Sequence, residues 1–559
     1  MSDLKNTILS AKNRKPTLVL KNANVVNVFT DEIIPADVAI YRDTIIGIGS
    51  YSCSREIDLK GKYLCPGFVD AHVHIESSMA TPGVFAQAVL PHGTTTVIAD
   101  PHEIANVCGQ KGLQLMLADS KNILLNVFFM LPSCVPATRF EHNGYALEAE
   151  DFMPFLQNKR VLGLGEVMDC PAVTGGDESM LKKLELFRDR PIDGHAPLLT
   201  GNSLAAYCAG GPATDHECTS FAEIQEKMRA GMKIQLRVGS AANDMQHILE
   251  QIAQNRLPTE NIIFCTDDKH IEDIERTGHI NTIAKMAVAA GIDPVSAVKM
   301  ATINPCRTYG IRRRGAVAPG YIADLAVFYD LKEFRAAAVF AAGRDIVAEK
   351  DAAPVKIPKG ILDSVHIAPL PDRPFALKIK EKMPVIEMPP GQLLTRLTFE
   401  TVPSENGYFT PAGEYVKLAV IERHHARGSI GIGILKNFGL RNGAVASTVA
   451  HDSHNLIVAG TNDNDMLVAV RALEACGGGY AVVSRGKVLS LLELPIAGLM
   501  TGAPIWQTLR RQKELLRAAC SLGLATDPFI PLSFLALPVI PEVRITDMGV
   551  FDVINSKFI

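Results

Sequence analysis

PGFVDAHVHIESSMATPGVFAQAVLPHGTTTVIADPHEI (66–104) sets the pattern of the chain: an apolar run, FVDAHVH (68–74), a helix-period segment near 82–91, then a second apolar run, TTTVIAD (94–100). The runs are continuous rather than alternating, as expected of strands covered on both faces. The alternation continues downstream with ILLNVFFML (123–131), VLGLGEV (161–167), PIDGH (191–195), ATDH (213–216), MKIQLRV (232–238) and IIFCTDD (262–268). Helix-period segments near 104–119, 148–156, 178–189, 200–209, 220–230, 242–255 and 278–290 separate and follow them. Eight such units over about 220 residues predict an α/β fold, a (β/α)8 TIM-type barrel. ATDH, short and polar, is the weakest of the eight.

Outside this stretch the texture changes. Residues 17–64 hold TLVLKNANVVNVF, DVAIY and TIIGIG, partly alternating runs punctuated by Gly, Asp and Asn, which predict a small antiparallel sheet. Asp293-Pro294 opens one further helix, with Asp as N-cap and Pro at the first helical position, running to about residue 309. GAVAPGYIADLAVFYD (315–330) and AAVFAAGRDIVA (337–348) then return to β texture. The expected organisation is a composite small β domain from 1–66 plus 311–352, a barrel over 67–310, a Pro-rich linker over 353–392, and a C-terminal α+β domain over 393–559. That last block carries YVKLAVIERH, GYAVVSRGKVLSL and helix patterns near 464–475 and 505–522.

Composition removes several function classes. The 559 residues carry 56 basic and 60 acidic side chains, a net charge of −4. That balance lacks the basic footprint of a nucleic-acid binder. No run of about 18 uncharged apolar residues predicts a membrane span. The N-terminal MSDLKNTILSAKNRK has no apolar signal core, and the eleven cysteines form no CxxC pair. The expectation is a cytoplasmic protein with reduced thiols.

Barrel enzymes carry their chemistry at the C-terminal ends of the strands. Here those ends are His72-Val73-His74, Asp100-Pro101-His102-Glu103, Gly165-Glu166, His195, His216-Glu217 and Thr266-Asp267-Asp268. Residues i and i+2 of a strand share a face, so His72 and His74 can reach one metal. With Glu166, His195, His216 and Asp267 they form a ligand set for two divalent metals. Imidazole with carboxylate suits Mn2+ best, with Fe2+ and Zn2+ as alternatives. His74-Ile75-Glu76 mimics the HxE of cytidine-deaminase-type zinc enzymes, but the PCxxC those sites need is missing. GGGY (477–480) lacks phosphate-loop spacing and reads as a turn. HDSHN (451–455) reads either as a solvated polar loop or as a segment closing over the barrel mouth.

The order HxH, strand-four carboxylate, His, His, Asp resembles the amidohydrolase superfamily. PGFVDAHVHIESSM (66–79) is similar to its first-strand signature and INPCRTYGIRRRGAVAPGYIADLAVF (303–328) to its closing segment. Many two-metal members bridge their metals with a carboxylated lysine on strand four. This sequence has Glu166 there and no lysine between Arg160 and Lys182. HIESSM (74–79), DPHEI (100–104), PSCVPA (132–137), GEVMD (165–169), CTDD (265–268), HDSHN (451–455) and LPIAGLM (494–500) together resemble the bacterial adenine deaminases, across nearly the whole chain.

That resemblance implies hydrolytic deamination of adenine to hypoxanthine and ammonia, as in purine salvage, by a hydroxide held at a two-metal centre. The expected metal ligands are His72, His74, Glu166, His195, His216 and Asp267. Asp267 also serves as proton acceptor, Glu103 or Glu217 as donor to ring N1, and Asp268 joins the catalytic set. Asp100, His102, Glu76, His451 and His454 are expected near the substrate or behind the ligands. The expected partner is a small purine base, with no nucleic acid and no membrane, and the assembly a homo-oligomer, a dimer by preference. The competing readings are a cyclic amidohydrolase of hydantoinase or dihydroorotase type, another aminopurine deaminase, and a metal-free binding scaffold.

Overall fold

The structure, a computed structural model, describes residues 2–240, 245–348, 355–389 and 394–559. Eight parallel strands build the barrel: β1 (Phe68–Val73), β2 (Thr94–Ala99), β3 (Asn126–Leu131), β4 (Val161–Val167), β5 (Ile192–Gly194), β6 (Thr214–Asp215), β7 (Lys233–Arg237) and β8 (Ile262–Cys265). β1 to β5 form one ladder and β6 to β8 another. Two seams join them. The Ala213 N–H donates to the Ile192 carbonyl (3.0 Å) between β5 and β6. At the other seam His74 N–H donates to the Asp267 carbonyl (3.1 Å) and Asp267 N–H to the His72 carbonyl (2.9 Å). The seam that shuts the barrel is therefore made of residues that the sequence marks as candidate ligands. Every residue of β1 and β2 is buried, the physical counterpart of continuous apolar runs.

Helices follow the strands, among them Pro82–Val89, His102–Asp119, Glu178–Leu186, Gly201–Ala209, Phe221–Arg229, Met245–Gln254 and Ile280–Ala289. Residues 242–244, where the helix near 242–255 was expected to start, lie outside the described set. The segment near 148–156 winds as a 3-10 helix (Ala149–Phe155) with Pro154 inside it. The single helix expected over 293–309 is two, Pro294–Met300 and Ile303–Thr308. Asp293 caps the first by accepting from the N–H groups of Val295 (2.9 Å) and Ser296 (3.0 Å). Pro305 explains the break. It has no N–H to offer the preceding turn, so it is tolerated only in the first turn of a new helix.

One sheet holds strands from both flanks of the barrel, including Leu18–Asn27, Glu32–Tyr41, Tyr63–Pro66, Leu325–Phe328 and Ala336–Ala341. It is mixed rather than antiparallel. Leu18–Asn27 pairs antiparallel with Glu32–Tyr41 but parallel with Glu56–Asp58 and Tyr63–Pro66, because the chain crosses back after Thr44–Gly49.

A second eight-stranded sheet forms the C-terminal region, with the helix Asp463–Cys476 on one face. The Pro-rich stretch 353–392 contributes to that region instead of forming a tether. Met383–Glu387 pairs with both Arg396–Glu400 and Ile430–Lys436, while Ile361 and Phe375 are fully buried. Residues 353–354 and 390–393 lie outside the described set. The C-terminal region sits on the barrel. Thr501 N–H donates to the Met79 carbonyl (2.9 Å), and one apolar cluster runs from Ile104 and Val107 to Leu418, Ile457 and Leu499. No helix among the described residues is long and apolar enough to cross a membrane.

Beneath the site, Lys227 is wholly buried. Its ammonium donates to Asp215 (2.9 Å), Glu223 (2.7 Å) and the Ala196 carbonyl (2.6 Å). This pins the loop after β5 and the residue preceding His216. Removing one member of a buried ion pair strands the other. Lys227→Met is therefore expected to lower the unfolding free energy by about 3–5 kcal/mol, read by urea denaturation; a loss below about 1 kcal/mol would mean that the pair contributes no more than a surface one.

Candidate metal centre

The strand ends bring six side chains into one cluster. The Nε2 atoms of His72 and His74 lie 3.2 Å apart. His74 Nδ1–H donates to the Asp100 carbonyl (2.9 Å), which fixes the tautomer and leaves the Nε2 lone pair facing inward. Glu166 lies between two pairs of rings. Its Oε1 is 3.2 Å from His74 and 3.8 Å from His72, and its Oε2 is 2.7 Å from His195 and 3.3 Å from His216. Asp267 Oδ1 lies 2.9 Å from His74 and 3.4 Å from His72. Sets such as His72–His74–Glu166, His72–His216–Asp267 and Glu166–His195–His216 each bring three ligand atoms within 4.8 Å of one another. The inward Nε2 lone pair of His74, 3.2 Å from His72 Nε2 and beside the Glu166 and Asp267 carboxylates, fits a cation, so the residues suit a divalent metal centre.

The cluster is shaped from behind. Asp100 Oδ2 accepts the Glu166 N–H (2.9 Å), and a Cβ on Gly165 would come 2.1 Å from that oxygen, so only glycine lets Asp100 approach. Asp267 has a φ of 59°, a left-handed conformation held by the barrel seam on both sides. Arg237, at the end of β7, donates to Asp267 Oδ2 (2.6 Å) and to Glu217 (2.5 Å). The sequence reading did not single out Arg237, although a lone arginine closing the apolar run MKIQLRV was a signal. Burial works against ionising these carboxyls, yet Arg237 and the imidazoles hold Asp267 well below the usual range. Contacts with His195, His216 and His74 overcome the same burial at Glu166. Burial likewise opposes a charged His216, but Glu166 raises it to about 9.

The remaining residues form an annex reaching into the C-terminal region. His102 Nδ1 is 3.4 Å from Glu166 and its Nε2 is 3.4 Å from Glu103. Glu103 Oε1 is 2.6 Å from His451 Nδ1, and Oε2 meets His454 Nε2. HDSHN is thus neither solvated nor helical: His451, Asp452, Ser453, His454 and Asn455 are all buried in a turn over the barrel mouth. Glu103, His451 and His454 also come within reach of one ion. The Ala450 N–H donates to His454 Nδ1 (3.1 Å), so Nε2 carries the ring proton of neutral His454 and gives it to Glu103. A metal on that nitrogen would need an imidazolate, which favours a proton-sharing trio over a metal site.

Charges in the annex follow from its contacts. Burial would raise Glu103, but His451, His454 and His102 hold it well below the ordinary range. Burial would lower His451, but Glu103 raises it to about 9. Burial takes His454 down to about 4. Glu76, whose Oε1 accepts the Ile104 N–H (3.2 Å), is raised to about 7 by burial and by neighbouring Glu103. Asp268 accepts from Ser77 Oγ (2.5 Å). Arg423, which the sequence reading also missed, is buried beneath the loop. Its guanidinium donates to the carbonyls of His454, Ser364 (3.0 Å) and Ala497 (3.0 Å).

Comparison with known proteins agrees over both halves. Residues 63–346 match the amidohydrolase family and residues 392–557 the adenine deaminase C-terminal domain. Among related sequences, "Adenine deaminase" of Desulfitobacterium hafniense (strain Y51) is 44% identical, covering 100% of this chain and 99% of that protein. "Adenine deaminase" of Clostridium acetobutylicum is 46% identical, covering 98% of each. A solved structure described as that of an adenine deaminase superposes with a TM-score of 0.46 at 17% identity, over 59% of this chain and 99% of that one. The chain belongs to the adenine deaminase family of the amidohydrolases.

Proposed function

We propose that the protein hydrolyses adenine to hypoxanthine and ammonia, serving purine salvage. The observation that carries this reading is Glu166, whose two oxygens face two separate histidine pairs in a member of this family. In this reading His72, His74, Glu166, His195, His216 and Asp267 hold two divalent metals, with Mn2+ favoured by the carboxylate and imidazole donors. Bound there, the metals supply a nucleophile from water at neutral pH by lowering its pKa.

The chain's own residues do the rest. Asp267, its Oδ2 fixed by Arg237, takes the proton of the attacking water and returns it to the departing amine. Glu103 and His451 share one proton; that pair protonates N1 as C6 is attacked and regains a proton from the C6 hydroxyl as the carbonyl forms. The ion pair with Arg237 makes Glu217 an anchor for that arginine, and the N1 role passes to Glu103. Asp268 and Ser77 border the amino group, while Asp100, His102 and Glu76 orient the ligands and Glu103.

The domain division we favour is 1–66 plus 311–352, 67–310, 353–392 and 393–559, with the Pro-rich stretch built largely into the last unit. Eleven free thiols support a reducing, cytoplasmic setting. The exposed Leu4, Ile8 and Leu9 on Ser2–Lys12 offer an apolar face for a homodimer. The test is a panel of aminopurines, aminopyrimidines and a hydantoin given to metal-replete protein. Ammonia from adenine is expected; ring opening of the hydantoin without ammonia from adenine would overturn the reading.

A further inference from the structure

A second cleft lies at the other end of the barrel from the metal cluster, where the helix Ile303–Thr308 and the segment after it meet the small β domain. Asn304 in that helix donates to the carbonyls of Thr259 (2.8 Å) and Ile262 (3.1 Å). Ile262 is the first residue of β8, whereas Asp267 lies beyond the last. The cleft has a volume of about 320 Å³ and is lined by Arg307, Arg312, Arg313 and Arg314, together with Phe29 and Tyr321. No acidic side chain among the described residues lines it. Two of the four arginines are engaged. Arg314 pairs with Asp324, and Arg313 donates to the Gly320 carbonyl (2.7 Å) and to Thr44 Oγ1 (3.1 Å). Arg307 and Arg312 are exposed and have no hydrogen bond or ion pair among the described residues. Asp31, two positions past Phe29, is already held by Lys299 (3.0 Å).

Four guanidiniums around one cleft repel one another, and in a chain of net charge −4 their concentration here is a local exception. An anion relieves that repulsion, and the planar fork of a guanidinium matches the oxygens of a phosphate. The cleft also offers aromatic surface. Phe29 is 47% exposed, and its ring meets that of Tyr321 at 5.9 Å and 67°, an edge-on contact that leaves room for a flat ring to stack. A ligand that satisfies both features carries a phosphate and a planar base. We propose that this cleft is a second ligand site, separate from the metal centre, that binds a nucleoside monophosphate with its phosphate on Arg307 and Arg312 and its base against Phe29 and Tyr321. The inference does not rest on the deamination reading, because it concerns residues that take no part in the metal cluster.

The test is calorimetric titration of metal-replete, full-length protein with AMP, adenosine and inorganic phosphate, using wild type, Arg307→Ala/Arg312→Ala and Phe29→Ala. All three side chains are exposed, so the variants are expected to fold as wild type does. Wild type is expected to bind AMP in the cleft with a Kd below about 100 μM, more tightly than phosphate or adenosine, and more weakly as salt is raised. The double arginine variant is expected to bind AMP and phosphate at least about tenfold more weakly, the scale of a lost charge-assisted hydrogen bond. Phe29→Ala is expected to weaken AMP by about tenfold and to leave phosphate unchanged. Absence of AMP binding to wild type would overturn the inference. So would AMP binding that the arginine substitutions leave intact, which would place the nucleotide elsewhere. Equal affinity for AMP and phosphate, or no effect of Phe29→Ala on AMP, would remove the base from the cleft and overturn the nucleotide assignment. Adenine turnover without AMP is expected to be the same in all three proteins, so the deamination reading stands or falls separately.

Discussion

Glu166→Ala should lower adenine turnover by about a thousandfold or more, the scale on which loss of a catalytic group acts, and should empty at least one metal position. The carboxylate faces His74 and His72 with one oxygen and His195 and His216 with the other. Without it, four imidazoles surround a void with only Asp267 to balance two cations. Glu166→Gln keeps the shape but halves the charged acceptor capacity, and should lose metal as well. With a glutamate as the proposed bridge, reconstitution of metal-free wild type should not require bicarbonate, which a carboxylated lysine would need. Metal analysis beside a spectrophotometric hypoxanthine assay reads both effects. An alanine variant that keeps two metals and turns over within tenfold of wild type would remove Glu166 from the bridge.

Glu103→Gln should lower turnover by about 10²- to 10⁴-fold, the range for a lost general acid–base group, with both metals still bound. Glutamine cannot hold or pass the proton that Glu103 shares with His451. The double variant His451→Ala/His454→Ala should fall in the same direction for the same reason. Combined with Glu103→Gln it should add little, since groups acting as one unit are not additive. Full additivity, or wild-type turnover in the double histidine variant, would make the annex a packing feature only.

The barrel was legible because its signal is local. Apolar runs such as TTTVIAD and VLGLGEV bury on both faces, and a period-two strand fixes that His72 and His74 share a side. That placement brings the histidines and Asp267 together across separate strands. Other features depend on partners that no local pattern encodes. Glu103 and His451 are 348 positions apart, so HDSHN alone could not distinguish a solvated loop from a buried clasp. Arg237 looked like an ordinary polar end to a strand until Asp267 and Glu217 closed on it. The mixed sheet at the flanks escaped because alternation marks a strand without giving the direction of its neighbour. The break before Ile303 was readable from Pro305, but the helical periodicity on either side masked it.

The most direct measurement is a titration of metal-free protein with Mn2+, following adenine consumption, hypoxanthine and ammonia together. Activity is expected to rise until two metal ions are bound per chain, with hypoxanthine and ammonia formed in equal amounts from adenine. Saturation at one ion per chain would contradict the two-metal centre, and consumption of adenine without ammonia would contradict deamination itself.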